Sequence, residues 1–296
     1  MQRPRPTPDL NLVFHPDADA TYRHFDGHES VPFDPGATMV TRANAWWLAE
    51  AALLSYWDPA EATKRFAVAG LTAEIVEQGD TQAYVAAMPG AVIVAFRGTE
   101  PDHLGDSFDD AKIILVPWEH GAGAVHVGFR DALERVWTPL VEKLTPLAGS
   151  RKVWFSGHSL GAALATLAAD RFPGTAGVCT LGSPRVGDRR FAAAFDHRFG
   201  ERAARYVNDT DVVTHLPTLP YKHVGGLRQI TPEGRITGQA PPLAHFVNDI
   251  FGGIGPILDI LHGLQTDAKK HAPDFLLDHM PRAYTVDIWN DHDAHG

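Results

Sequence analysis

One stretch, residues 152–172 with the sequence KVWFSGHSLGAALATLAADRF, constrains the fold more than any other part of the chain. An apolar β-type run meets the motif GHSLG at residues 157–161, and an alanine-rich helix former follows. A serine on so tight a turn has a strained backbone, and crowding from strand and helix favours residues without Cβ two positions on either side. The pattern therefore predicts Ser159 as a nucleophile, with the Leu160 N–H and a helix N-terminus beside its hydroxyl.

The remainder of the chain alternates strand-like and helical runs, which predicts an α/β fold with a mixed or parallel sheet and helices on its faces. Helices are expected over 41–56 and about 128–147, and two strands should be joined by a turn at Pro89-Gly90. The first 35 residues are rich in Pro, Asp and His and predict an extended arm. Residues 36–296 are expected to form one domain.

Composition and charge narrow the class of partner. The chain has 296 residues, 44% hydrophobic content and a net charge of −10, and that charge argues against nucleic acid as a ligand. The single cysteine, Cys179, excludes an intrachain disulfide. No apolar run is long enough for a transmembrane helix. With no secretory leader, a cytoplasmic location is expected, or a secreted one if a leader has been removed.

A serine nucleophile needs a general base and an acid that orients the base, in the order Ser, Asp or Glu, His. The run ARYVNDTDVVTHLP offers Asp209 and Asp211 at the end of a predicted strand, and the residues alone do not choose between them. The histidine is equally open, because eight candidates follow the acids: His215, His223, His245, His262, His271, His279, His292 and His295.

A long segment between the predicted acid and base also has two interpretations. Residues 243–264 place apolar side chains at helical spacing, interrupted by Gly252, Gly253, Gly255 and Pro256. These residues could pack on the core as ordinary helices. They could instead belong to a cap insertion over about 219–272 that covers an apolar substrate site.

Several motifs in order resemble the class 3 (fungal-type) lipases. They are VAFRGTE, VHVGF, FSGHSLGAALATLAA, LGSPRVGD, YVNDTDVVTHLP, YKHVG and LLDHMPRAY. The resemblance implies an α/β-hydrolase fold with a mostly parallel central sheet and helices on both faces. It also implies a lid over about 100–120.

The resemblance assigns roles that the residues alone leave open. It implies Ser159 as nucleophile, Asp211 as acid and His279 as base, with Thr99 and Leu160 forming the oxyanion hole. The expected activity is that of a triacylglycerol lipase, with phospholipase A1 or feruloyl-type esterase as alternatives and a catalytically dead binding protein as the non-enzymatic one. Expected partners are an acylglycerol or other ester and a lipid–water interface. No cofactor or metal is predicted, and the residues that select the substrate are not identified.

Overall fold

The computed structural model describes residues 1–7, 9–98, 114–239 and 274–295. Ten strands lie in these ranges: β1 Thr72–Gln78, β2 Thr81–Met88, β3 Ala91–Phe96, β4 Leu115–Pro117, β5 Ala124–His126, β6 Lys152–His158, β7 Thr175–Leu181, β8 Ala203–Asn208, β9 Gly226–Ile230 and β10 Ile236–Thr237. Eight helices accompany them: α1 Leu10–Phe14, α2 Arg42–Leu54, α3 Pro59–Val68, α4 Val127–Ala148, α5 Leu160–Arg171, α6 Arg189–Phe199, α7 Asp274–Leu277 and α8 Pro281–His295.

Eight of the strands form one sheet in the order β1-β2-β3-β6-β7-β8-β9-β10. Neighbours from β3 to β9 are parallel, whereas β1, β2 and β10 pair antiparallel to the strands beside them. The helices α4, α5 and α6 connect successive parallel strands, as parallel pairing requires. The predicted α/β class with a mostly parallel sheet is confirmed.

The sheet has an apolar core on each face because side chains alternate along every strand. In β6, Val153 and Phe155 pack in the core beneath α4, α5 and α6. The intervening Trp154 packs in the second core, which α2 and α8 cover. Helices therefore lie on both faces, as predicted, and no helix in the described ranges is long and apolar enough to cross a membrane.

The first 35 residues lie against the second core. They include the single-turn α1, and the side chains of Phe25 and Phe33 are buried. Near the start of the chain, the Arg5 guanidinium pairs with the buried Asp287 on α8 at 2.8 Å. The segment is thus fastened to the domain by both apolar burial and charge.

Two sequence predictions fall partly outside the described residues. Of the lid predicted over about 100–120, only residues 114–120 are described, and they include β4. Of the cap predicted over 219–272, the described part contains the β9–β10 hairpin, which forms one edge of the main sheet. The apolar run 243–264 lies outside the described residues.

Glu50 is a charged residue in the second core whose removal should destabilise the fold. Its Oε1 accepts hydrogen bonds from Tyr22 Oη at 2.9 Å, Trp46 Nε1 at 3.1 Å and Arg3 Nη1 at 3.2 Å, and its side chain is fully buried. Glu50→Leu leaves these donors without their acceptor in an apolar environment. We expect the free energy of unfolding to fall by about 3 kcal/mol, measured by urea denaturation.

The same substitution at Glu61 is the control, because Glu61 is exposed on α3 and its carboxylate forms a surface ion pair with Lys64. Glu61→Leu should leave the denaturation midpoint near that of the native protein. Equal midpoints for the two variants would contradict the structural role of Glu50.

Candidate active site

The strand-to-helix turn at Ser159 is as tight as the sequence predicts. β6 ends at His158 and α5 begins at Leu160, so one residue makes the whole turn. Ser159 has φ 58° and ψ −130°, a conformation that residues other than glycine rarely adopt. Its N–H donates to the Leu181 carbonyl at 3.0 Å, which ties the turn to the end of β7.

The two glycines of the motif allow this turn by removing collisions. A Cβ on Gly157 would lie 2.2 Å from the Gly161 carbonyl oxygen. A Cβ on Gly161 would lie 2.3 Å from the carbonyl oxygen of Phe96 on β3. The predicted need for glycine on both sides of Ser159 is confirmed, and it extends to the neighbouring strand.

Asp211 follows the end of β8 and has no exposed surface. Its Oδ1 accepts a hydrogen bond from the N–H of Val213 at 2.9 Å. Its Oδ2 accepts from Tyr284 Oη at 2.6 Å and lies 2.8 Å from Nδ1 of His279. Three donors therefore compensate a carboxylate that burial would otherwise destabilise.

His279 is oriented by this carboxylate. Because a carboxylate only accepts, Nδ1 carries the proton, and Nε2 of the neutral ring keeps a free lone pair. Nε2 of His279 and Oγ of Ser159 are both buried without a hydrogen-bond partner among the described residues. The two rings of His158 and His279 lie 4.4 Å apart, which brings His279 to the nucleophile turn.

The other candidates from the sequence occupy different surroundings. The ring of His279 is hydrogen-bonded to Asp211, whereas the backbone N–H of Asp209 donates to the carbonyl of Ile230. Burial lowers the pKa of His215 to about 4 and that of His223 well below its usual range. His292 and His295 lie in the last turn of α8, and the candidates His245, His262 and His271 lie outside the described residues.

One of the two predicted oxyanion donors lies in the described part of the chain. Leu160 begins α5, so its N–H is among those at a helix start with no intrahelical acceptor. Thr99 lies outside the described residues. Gly98, directly before it, is close to the turn, since a Cβ there would lie 3.2 Å from Cβ of Ser159.

Sequence reasoning missed Tyr284, whose hydroxyl links the acid to its strand. It donates to Asp211 and accepts from the N–H of Asn208 at 2.9 Å, and burial raises its pKa well above the usual range. Its place on α8, five residues after His279, belongs to no spacing rule for acid–base pairs. Only its position within LLDHMPRAY could have drawn attention to it.

Three further hydrogen bonds hold the segment that contains His279 against the loop that contains Asp211. Asp278 Oδ2 accepts from Thr210 N at 3.1 Å and Thr210 Oγ1 at 2.9 Å, while Asn208 Nδ2 donates to the Asp278 carbonyl at 2.9 Å. Burial raises the pKa of Asp278 to about 7, although the Thr210 hydrogen bonds act in the opposite direction. No group of His, Cys, Asp or Glu in the described ranges is arranged to hold a metal ion.

A serine on a strained strand-to-helix turn, beside a buried Asp–His pair at the carboxyl end of a mostly parallel sheet, defines the α/β-hydrolase class. The family model for lipase (class 3) matches residues 93–221. The resemblance to the class 3 (fungal-type) lipases found in the sequence is confirmed over this range, which is less than half of the 296 residues.

Three relatives illustrate the match. The secreted mono- and diacylglycerol lipase 3 of Gibberella zeae is 32% identical, over 48% of this chain and 50% of the relative. Phospholipase A1-II 3 of Oryza sativa is 32% identical, over 45% of this chain and 40% of the relative. The solved structure of Rhizomucor miehei triacylglyceride lipase is 28% identical with a TM-score of 0.53, over 65% of this chain and 80% of that one. The chain therefore spans half or less of the two relatives matched by sequence.

The close approach of Gly161 to β3 leads to a test of the turn. Gly161→Ala should lower the unfolding midpoint and disorder the turn, because its Cβ would meet backbone atoms of Phe96 and Arg97, which cannot rotate away. Thermal unfolding followed by circular dichroism measures this effect.

Gly149→Ala is the matched control, since no neighbouring atom of the described residues lies within 4 Å of the added Cβ and the residue has φ −60°. Its unfolding midpoint should equal or slightly exceed that of the native protein. If Gly161→Ala were as stable as Gly149→Ala, the steric account of the motif would be wrong.

Proposed function

We propose that this chain is a serine carboxylester hydrolase that acts on acylglycerols through an acyl-enzyme on Ser159. The observation that carries the proposal is the buried pairing of His279 with Asp211, which leaves His279 Nε2 and Ser159 Oγ without other partners among the described residues. A nucleophile and a base that are already oriented, with no competing hydrogen bonds, are suited to acyl transfer.

Acylation begins when Ser159 Oγ attacks the ester carbonyl carbon and His279 Nε2 takes the hydroxyl proton. Asp211 keeps the ring in the tautomer with Nδ1 protonated and stabilises the imidazolium that forms. The tetrahedral intermediate collapses as His279 gives the proton to the departing alcohol oxygen. Ser159 is left as an ester of the fatty acid.

The developing oxyanion needs donors fixed beforehand. We assign this role to the N–H groups of Thr99 and Leu160, and the N-terminus of α5 adds its dipole at the same point. The position of Gly98 beside Ser159 supports the assignment of Thr99. Loss of one such donor typically costs about 3 kcal/mol of transition-state stabilisation.

Deacylation repeats the steps with water as nucleophile. His279 takes a proton from water, the hydroxide attacks the acyl carbon, and the second tetrahedral intermediate collapses as Ser159 Oγ recovers its proton. The products are a carboxylic acid and free enzyme. Every step uses protein groups and water, so the proposal includes no cofactor or metal.

The names of the relatives support the choice of substrate class. Two of the three act by name on acylglycerols, and one of these is named as secreted. Acylglycerols of long chain collect at a lipid–water interface, which we propose as the surface where this chain works.

The secreted relative supports a secreted location for this chain and gives no support to the cytoplasmic location expected from the sequence. Phospholipase A1 is the second candidate, favoured by the rice relative.

Labelling with a fluorophosphonate probe tests the reaction class. The native protein should become labelled and hydrolyse p-nitrophenyl esters, because the probe reacts with an activated serine. Ser159→Ala should abolish both signals, and His279→Ala should lower them by at least about 1,000-fold, with the far-ultraviolet circular dichroism spectrum retained.

Ser150→Ala is the control, since Ser150 is exposed and precedes β6, at the opposite end of the strand from Ser159. It should retain full labelling and turnover. An unreactive native protein would favour a binding protein with a dead site, and near-native turnover by Ser159→Ala would exclude the assigned nucleophile.

Substrate choice is tested with lipids that share the same acyl chains. We expect emulsified triacylglycerol and diacylglycerol to be hydrolysed faster than phosphatidylcholine vesicles, as judged by titration of released fatty acid. A series of p-nitrophenyl esters of rising chain length completes the profile. Preference for the phospholipid at its sn-1 ester would replace this proposal with phospholipase A1.

A further inference from the structure

A second histidine is packed directly against the proposed catalytic one. His158 is fully buried, and its ring centroid lies 4.4 Å from that of His279 at an interplanar angle of 37°. Its Nε2 lies 2.9 Å from the backbone carbonyl oxygen of His279, and its Nδ1 lies 2.9 Å from Tyr56 Oη. The reaction proposed above uses neither His158 nor Tyr56.

These contacts fix the tautomer of His158. A carbonyl oxygen only accepts, so Nε2 of His158 must carry a proton and donate a hydrogen bond to the carbonyl oxygen of His279. Burial lowers the pKa of His158 well below its usual range, and the nearby His279 lowers it further. The neutral ring therefore keeps a lone pair on Nδ1, to which Tyr56 Oη donates.

Tyr56 also touches the strand that leads to the predicted oxyanion residue. A Cβ on Gly98 would lie 2.1 Å from Tyr56 Oη and 2.7 Å from the carbonyl oxygen of His158. The Tyr56–His158 pair is thus close to Gly98, which follows β3, to the turn at Ser159 and to the segment that contains His279.

We propose that Tyr56 and His158 are positioning residues that hold the backbone of His279 so that Nε2 faces Ser159. The inference rests on the proposed function and deepens it. Asp211 holds Nδ1 of the ring but does not by itself fix where the main chain of His279 lies. The hydrogen bond from His158 holds the carbonyl of His279 itself, one residue after Asp278, which Asn208 and Thr210 already hold.

The neutral state of His158 also matters for the charge of His279. His279 becomes an imidazolium during acyl transfer, and a second positive charge 4.4 Å away would oppose it. The Tyr56 hydroxyl keeps Nδ1 occupied as an acceptor, which favours the neutral form. Neither residue needs to touch the ester, so their loss should lower kcat and leave KM nearly unchanged.

A matched pair of variants isolates the hydrogen bond from the packing. His158→Gln retains an N–H donor near the position of Nε2, whereas His158→Met has a similar volume and no donor. We expect kcat to fall on the order of 100-fold in His158→Met. His158→Gln should recover at least a tenth of native kcat, and both should keep KM within about twofold of native.

Tyr56→Phe tests the other half of the pair. Loss of the donor to Nδ1 should lower kcat by about tenfold, the effect of one neutral hydrogen bond. Proton NMR gives an independent readout, since the Nδ1 proton that His279 donates to Asp211 should resonate far downfield. That resonance should persist in His158→Gln and be lost or broadened in His158→Met.

The outcomes separate this inference from the proposed function. If native protein is active and the Gln and Met variants have equal kcat and equal downfield resonances, His158 has only a packing role and the inference is wrong. If Met lowers kcat and the unfolding midpoint while Gln restores only the midpoint, the inference is also overturned. If native protein is neither labelled by the probe nor active on esters, the proposed function itself fails.

Discussion

The strained backbone of Ser159 is the constraint around which the active region is built. A single residue at φ 58° joins β6 to α5, and the join exists only where Gly157 and Gly161 leave room for each other and for β3. The carbonyl oxygen of Phe96, at the end of β3, occupies the space that any larger residue at 161 would need. The turn at Ser159 and the chain from Phe96 to Gly98 are therefore held in register by steric exclusion.

The proposed acid and base depend on a different interaction, the hydrogen bond between buried Asp211 and His279. A carboxylate without exposed surface is tolerated because Val213, Tyr284 and His279 all donate to it. Just before it, Asn208 and Thr210 bind Asp278. Two loops whose hydrogen-bonded residues are 68 to 70 positions apart in sequence are thus joined side by side, and the cost of bringing them together is offset by several hydrogen bonds at once.

The turn at Ser159 could be predicted because it depends on neighbours in sequence. The choice of acid and the packing of the N-terminal segment depend on contacts between distant residues and were harder to predict. The glycines around Ser159 follow from neighbours in sequence, and so does the Pro89-Gly90 turn between β2 and β3. Asp209 and Asp211 differ by two positions on one loop, so the residues alone could not separate them. The resemblance pointed to Asp211, beside which the structure places His279. The N-terminal segment, rich in Pro, Asp and His, was predicted as an extended arm; its contacts could not be predicted because the partners of Phe25 and Phe33 lie elsewhere in the chain.

The alternation of side chains along β6 explains why His158 contacts His279 from the face of the sheet that α2 and α8 cover. Trp154, Ser156 and His158 point to the face covered by α2 and α8, as shown by Ser156 Oγ, which donates to Leu48 on α2. Tyr56 follows the end of α2 by two residues, and His279 precedes the start of α8 by two. Since α2 and α8 pack on each other, the ends of both helices meet at His158. The face of the sheet opposite α5 therefore positions His279, the proposed base, while the start of α5 positions Ser159, the proposed nucleophile.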